Sequence, residues 1–213
     1  SGLALEGKKV FTYSLGNFPT LRCLEQIRND ACYHDLNVNI VASGGGFSYG
    51  QLGMSHHATE DISIMRALPN VTVVVPSNPW EAAHATRELY ASEGVGYLRI
   101  DKTNGIQENS EDVFKIGKSI SIKNGNDVCF VVCGGIINEV IDSAKSLEES
   151  GISSEIISMH TVKPLDENML TKVSGKYKLL VSVEEGNVIG GLGSAISEFC
   201  MESGHMPQKF MKI

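Results

Sequence analysis

Apolar, β-branched runs of strand length recur along the chain between stretches with helical spacing: Val10–Phe11, Val38–Val41, Val71–Val75, Tyr97–Ile100, Val128–Val132, Glu155–Ile157 and Leu179–Val183. Strands that are apolar at successive positions need cover on both faces, which helices on either side of a parallel sheet supply. The alternation predicts an α/β fold built of two doubly wound, mainly parallel sheets. Asn78, Pro79 and Glu81 stand at N-cap, first-turn and third positions in a capping-box arrangement, which predicts a helix over about 79–92. Ile136, Ile137, Val140, Ile141, Ala144 and Leu147 recur with the helical period and predict a second helix that ends at Gly151. Between Asp101 and Asp127 the chain turns polar and Gly/Asn-rich, with a candidate edge strand near Lys118–Ile122. A boundary near residue 112 follows, dividing the chain into units 1–112 and 113–213.

Composition narrows the function classes. The 213 residues are 42% hydrophobic and 20% charged, which excludes disordered, collagen-like and coiled-coil chains. A net charge of −7, without a long like-charged block, argues against a nucleic-acid or anionic-membrane partner. No apolar run approaches the roughly 18 residues of a membrane span, and Ser1–Lys9 lacks the charged-then-apolar order of a signal peptide. A cytoplasmic location is expected. Five cysteines, most inside apolar stretches, read as reduced core residues; Cys129 and Cys133 flank a strand and lack metal-ligand spacing.

The densest chemistry lies in Ser43–His57, which leaves one apolar run and enters the helix of Glu60–Ile62. Its five glycines within ten residues allow backbone approaches that side chains would block. In α/β sheets the carboxyl ends of strands are where ligands bind, and this loop follows one. His56 and His57 offer proton carriers near neutral pH. Adjacent histidines without a third ligand make a poor metal site, and none is expected. The spacing matches neither a Walker loop nor a dinucleotide fingerprint.

The run His56–Pro76 resembles the histidine-to-proline segment of the transketolase pyrimidine-binding domain, as do Gln26–Asn29, Leu36–Val38 and Gly96–Ile100. Met159–Asp166, Val183–Glu185 and Gly190–Ala195 resemble the family's C-terminal domain. The resemblance covers nearly the whole chain in order. It implies thiamine diphosphate chemistry, with the aminopyrimidine held here and the diphosphate held through Mg²⁺ by a separate domain. The chain has no Gly-Asp-Gly metal motif, so that domain is expected from a missing N-terminal half or a companion polypeptide, in a homodimer or heterotetramer. The family's cofactor-activating glutamate lies just upstream of the segment matching Ser1–Gly7, and Glu6 comes too late in the motif to replace it. With no initiator Met, the chain reads as a fragment.

Carried over residue by residue, the resemblance places Phe18 at the position that stacks on the pyrimidine. Leu15 replaces a second aromatic there, and Tyr13 and Phe11 lie in the preceding strand, open to either cofactor contact or core packing. His56 falls on the substrate-facing histidine, which hydrogen-bonds sugar hydroxyls and shuttles protons. Arg99 and Lys102 fall on a basic pair at a strand end, a phosphate grip or a solvated surface pair. His84 and His160 read as structural. Where the family commonly shows Gly-Glu-Asp-Gly, this chain has Gly50-Gln51-Leu52-Gly53, and Gly44 stands where a phosphate-binding histidine is usual. Gly190–Gly193 reads as a tight turn. The expectation is the C-terminal portion of an enzyme that moves a two-carbon ketol unit between sugars. A 1-deoxyxylulose-5-phosphate synthase-like enzyme and a non-catalytic dimerising or regulatory subunit are the alternatives.

Overall fold

The computed structural model describes residues 1–103 and 113–213. In chain order the elements are α1 (Gly2–Leu5), β1 (Val10–Leu15), a helical stretch with α2 (Leu24–Gln26) between π turns Phe18–Arg22 and Ile27–Cys32, β2 (Val38–Ser43), α3 (Asp61–Ala67), β3 (Val71–Val74), α4 (Pro79–Ala91) and β4 (Val95–Ile100). Then come β5 (Ile120–Lys123), β6 (Val128–Cys133), α5 (Ile137–Glu149), β7 (Ser154–Ser158), β8 (Thr161–Lys163), α6 (Glu167–Ser174), β9 (Leu179–Glu184), α7 (Leu192–Ser203) and β10 (Phe210–Lys212). Two five-stranded sheets result, ordered β1-β2-β4-β3-β8 and β10-β9-β6-β7-β5. All pairings are parallel except at the β8 and β5 edges.

The strands expected from apolar runs all form, several of them longer than the runs. The central ones, β2 and β4, are buried along nearly their whole length, as cover on both faces requires. Asn78 caps α4, its Oδ1 accepting from Glu81 N at 2.8 Å. The Glu81 carboxylate does not reach back to Asn78; it accepts from Ser77 N at 2.7 Å and from Ser158 Oγ at 2.7 Å. Ser158 ends β7, so this fully buried carboxylate joins the two sheets. Burial pushes its pKa up against those hydrogen bonds.

Two strands escape the sequence pattern. β10 and β8 are three residues each, too short to display a period, and β8 crosses between the units. It comes from the second half of the chain, yet it pairs with β3 of the first sheet. Val75 N donates to His160 O at 2.7 Å and Gly134 N to Val75 O at 3.1 Å, continuing the backbone link. One apolar core correspondingly runs from Ile40, Met65 and Tyr97 through to Val131, Ile157 and Leu180. The expected boundary near 112 lies outside the described residues.

Among the described residues no helix is long and apolar enough to cross a membrane. All five cysteines are free, four buried and Cys23 exposed. His160 is fully buried, stacked on Phe114 at 4.1 Å with Nδ1 against Thr161 Oγ1 at 3.0 Å. Burial drives its pKa down to about 4.

Candidate active site

The glycine-rich loop leaves β2 and closes on itself, with Gly46 and Ala58 paired through both backbone groups at 2.8 and 2.9 Å. Gly44 and Gly46 adopt positive φ. The room made at Gly44–Gly46 is not left open for a ligand: a Cβ there would strike the Tyr49 ring, Arg99 Nε and the Glu185 side chain in turn. These glycines admit the chain's own side chains. Beyond them, Phe47 and the 3₁₀ turns Gly50–Leu52 and Met54–His56 form an exposed rim, with Phe47, Leu52 and Met54 open to solvent.

His56 closes the second turn, half-buried, with Nδ1 at 2.9 Å from Ser55 Oγ. Asn17 Nδ2 donates to Ser55 O at 2.7 Å, tying this turn to the segment after β1. That segment begins the π turn at Phe18, whose ring meets His56 edge to face with centroids 5.2 Å apart. Phe18 lines a cleft of about 310 Å³ at the open β1 edge, together with Tyr13, Ser14, Arg22, Cys23 and Gln26. Arg22 lies over the Phe18 ring at 4.8 Å. Tyr13 is 72% exposed, so of its two readings core packing is excluded. Leu15 is half-buried and outside the lining of the cleft. The chain bends at Gly16 after it, and Phe18, not Leu15, turns into the opening.

Arg99 and Lys102 do not form a pair. Lys102 is exposed, its Nζ 3.9 Å from the centre of the Tyr49 ring. Arg99 is 1% exposed. Its Nη1 donates to Asp61 Oδ1 at 3.3 Å, its Nε to Asp101 Oδ1 at 3.3 Å and its Nη2 to Glu185 O at 2.7 Å. Tyr97 OH donates to the other Asp61 oxygen at 2.7 Å. Burial opposes the charge on Arg99, but Asp61 and Asp101 outweigh it and hold its pKa above the ordinary value. Neither phosphate grip nor solvated surface charge describes this residue. A guanidinium inside a fully covered strand demands counter-charges, and the fold supplies them.

No spacing in the sequence connects Asp61, Asp101 and Glu185 or marks them as partners of Arg99. The available signal was Arg99 itself, a cation within the apolar run Tyr97–Ile100, which had to find buried partners. Asp101 also accepts from Gly45 N at 3.0 Å and Gly135 N at 2.9 Å, so it joins the glycine loop to the start of α5. At Gly190–Gly193 the tight turn forms, with φ +80° at Gly190. The α7 N-terminus takes its anion from within: Glu184 accepts from Leu192 N and Gly193 N at 2.8 and 2.9 Å. Among the described residues no group of three or more His, Cys, Asp or Glu side chains is placed to hold a metal ion.

A mainly parallel sheet with a histidine-bearing loop at a strand end and an aromatic cleft at its open edge, joined to a second α/β unit, defines the class of two-unit α/β proteins that place ligand sites at strand ends. The chain belongs to the transketolase family. Residues 1–106 match the transketolase pyrimidine-binding domain and residues 117–212 the transketolase C-terminal domain. A protein of Methanocaldococcus jannaschii described as a transketolase C-terminal section is 38% identical over 100% of this chain and 67% of its own length. The 6-deoxy-6-sulfo-D-fructose transketolase subunit SqwH of a Clostridium species is 35% identical over 97% of this chain and 65% of its own. A solved split-gene transketolase, an inactive β4 tetramer, superposes with a TM-score of 0.89 at 34% identity, covering all of this chain and 69% of that one. The chain thus spans about two thirds of the length of these relatives.

Proposed function

We propose that this chain is the C-terminal portion of a thiamine-diphosphate-dependent enzyme that transfers a two-carbon ketol unit between sugars. In this reading 1–112 is the pyrimidine-binding unit and 113–213 the C-terminal unit. A half or partner chain supplies the diphosphate and Mg²⁺ site, in a cytoplasmic homodimer or heterotetramer. The observation that carries it is the Phe18–His56 contact at 5.2 Å, which sets an aromatic platform for a planar ring beside a half-buried proton carrier. When bound, the cofactor supplies an electron sink at its thiazolium ring.

The cleft suits an aminopyrimidine: Phe18 offers a ring face, Tyr13 a second aromatic surface and Ser14 a polar rim. Arg22 is exposed and covers one Phe18 face, so a ring taking that face displaces a side chain that costs little to move. His56, with Nδ1 engaged by Ser55, presents Nε2 to hydrogen-bond and exchange protons with substrate hydroxyls. Lys102 is the remaining cation for a substrate phosphate. Leu52 in place of the family's aspartate and Gly44 in place of its histidine favour a less common sugar, in keeping with the sulfo-sugar in the name of the Clostridium relative. A second reading, a non-catalytic subunit, draws on the same missing carboxylates at Gln51 and Leu52.

The deciding experiment assays the chain with its diphosphate-domain half over a panel of ketoses and 2-oxo acids, and titrates the chain alone with thiamine diphosphate. Cofactor- and Mg²⁺-dependent ketol transfer by the complete assembly is expected, with binding by the chain alone weaker than about 1 µM. A complete assembly that binds cofactor yet transfers nothing leaves the non-catalytic reading.

A further inference from the structure

The loop that carries Tyr49, Leu52 and His56 is held at both ends by one short segment from the other half of the chain. At its start, Phe47 N donates to Glu185 Oε1 at 2.8 Å. Just past its end, Asn187 N donates to Thr59 O at 2.8 Å. The helix that follows is gripped by the same turn, Ser63 Oγ donating to Ile189 O at 2.7 Å and Arg66 to Gly190 O at 2.6 Å. Glu185 is itself fixed, since its carbonyl accepts from the buried Arg99. Its side chain can approach only because position 46 is glycine: a Cβ there would overlap Glu185 from Cβ to Cδ.

Between these anchors the loop is tied by polar and ring contacts rather than by a core: Gly46 pairs with Ala58, Asn17 donates to Ser55 O, His57 Nε2 lies 3.3 Å from Gly50 O, and the Phe47 and His57 rings meet at 5.0 Å. Phe47, Leu52 and Met54 are 55%, 56% and 86% exposed, so apolar burial contributes little to its shape. Glu185 does not line the cleft beneath Phe18, though it borders a second cavity of about 440 Å³ with Phe47 and Lys102. Its contact is with the loop backbone, upstream of the residues that would meet substrate. We propose that Glu185 is a positioning residue, through which the C-terminal unit sets where Leu52 and His56 stand. The inference rests on the transferase reading above. Misplacing a reacting group by about 1 Å costs on the order of 10²-fold in rate, so a backbone anchor at the loop base acts on chemistry it never touches.

The test uses the complete assembly with Glu185→Ala, Glu185→Gln and, as a control, Glu202→Ala, an exposed carboxylate on α7 away from the loop. Amide hydrogen exchange across Phe47–His57 should speed in Glu185→Ala and stay near wild type in Glu185→Gln, whose amide oxygen still accepts from Phe47 N. In parallel, kcat/KM for the sugar should fall by about 10-fold or more in Glu185→Ala, towards the roughly 10²-fold of a misplaced reacting group, with thiamine diphosphate affinity unchanged and Glu202→Ala silent. Unchanged loop exchange, faster exchange with unchanged KM and kcat, or a Glu185→Gln as impaired as Glu185→Ala would each overturn the proposal. Should the wild-type assembly transfer no ketol unit, the functional reading falls, and the exchange comparison alone decides whether Glu185 anchors the loop.

Discussion

The Phe18 and His56 rings touch edge to face, 5.2 Å between centroids, so the residue proposed for the cofactor and the one proposed for the substrate lean on each other. Phe18→Ala should weaken thiamine diphosphate binding about 10-fold or more, through lost stacking and burial. His56→Ala should lower turnover about 10²-fold, the range for lost acid–base assistance. Because the rings are in contact, the two losses should not add in the double variant. Cofactor titrations and steady-state kinetics on the complete assembly check this. Wild-type turnover in His56→Ala would leave that histidine as packing for Phe18.

Replacing Leu52 by Asp restores the family's carboxylate on an exposed rim, where it disturbs no packing. Specificity constants for xylulose 5-phosphate should rise in Leu52→Asp relative to wild type, since an acceptor then pairs with a substrate hydroxyl. Comparison with a deoxygenated or sulfonated ketose gives the sign of the preference. A wild type already near the upper end of the usual range, about 10⁸ M⁻¹s⁻¹, would contradict the altered-sugar reading.

Arg99 should behave as a structural ion. Arg99→Met leaves Asp61 and Asp101 buried without their cation, a loss of about 3–5 kcal/mol, visible as a lower urea midpoint. Arg99→Lys keeps the charge but cannot reach three partners from a planar fork, and should fall between. A phosphate ligand would give the opposite result, with Arg99→Lys raising KM and sparing stability.

His160 makes stability depend on pH. Its pKa is near 6.5 when unfolded and about 4 when buried, so between those values the unfolded chain binds the extra proton. Stability is therefore complete above pH 6.5 and is lost as the pH falls towards 4, by about 3 kcal/mol in all. Denaturation of wild type and His160→Gln from pH 4 to 7.5 should show this slope in wild type and its absence in the variant.

The parts of this molecule visible in its sequence are those governed by local pattern. Apolar runs marked the strands with two-sided cover, and the Asn78–Glu81 signal marked the start of α4. What stayed hidden is long-range. Nothing near Thr161 indicates that it pairs with β3, and nothing near Glu185 points to Phe47. The glycines of the loop are conspicuous in the sequence, but the side chains that fill their space, Arg99 and Glu185, lie far off along the chain, so local pattern points to a ligand instead. Leu15 and Phe18 looked alike as candidates because a motif fixes spacing, whereas the bend at Gly16 decides which side chain enters the cleft.

The pairing of β8 with β3 also bears on synthesis. Residues 1–103 can assemble four parallel strands as they leave the ribosome, but the outer edge of β3 stays unpaired until Thr161–Lys163 follow some sixty residues later. Until then the nascent first sheet carries a buried-type apolar strand as a bare edge, the template that recruits foreign strands. The first sheet thus takes its fifth strand from the second unit, and a gene split at the domain boundary would release a first half with that edge uncovered.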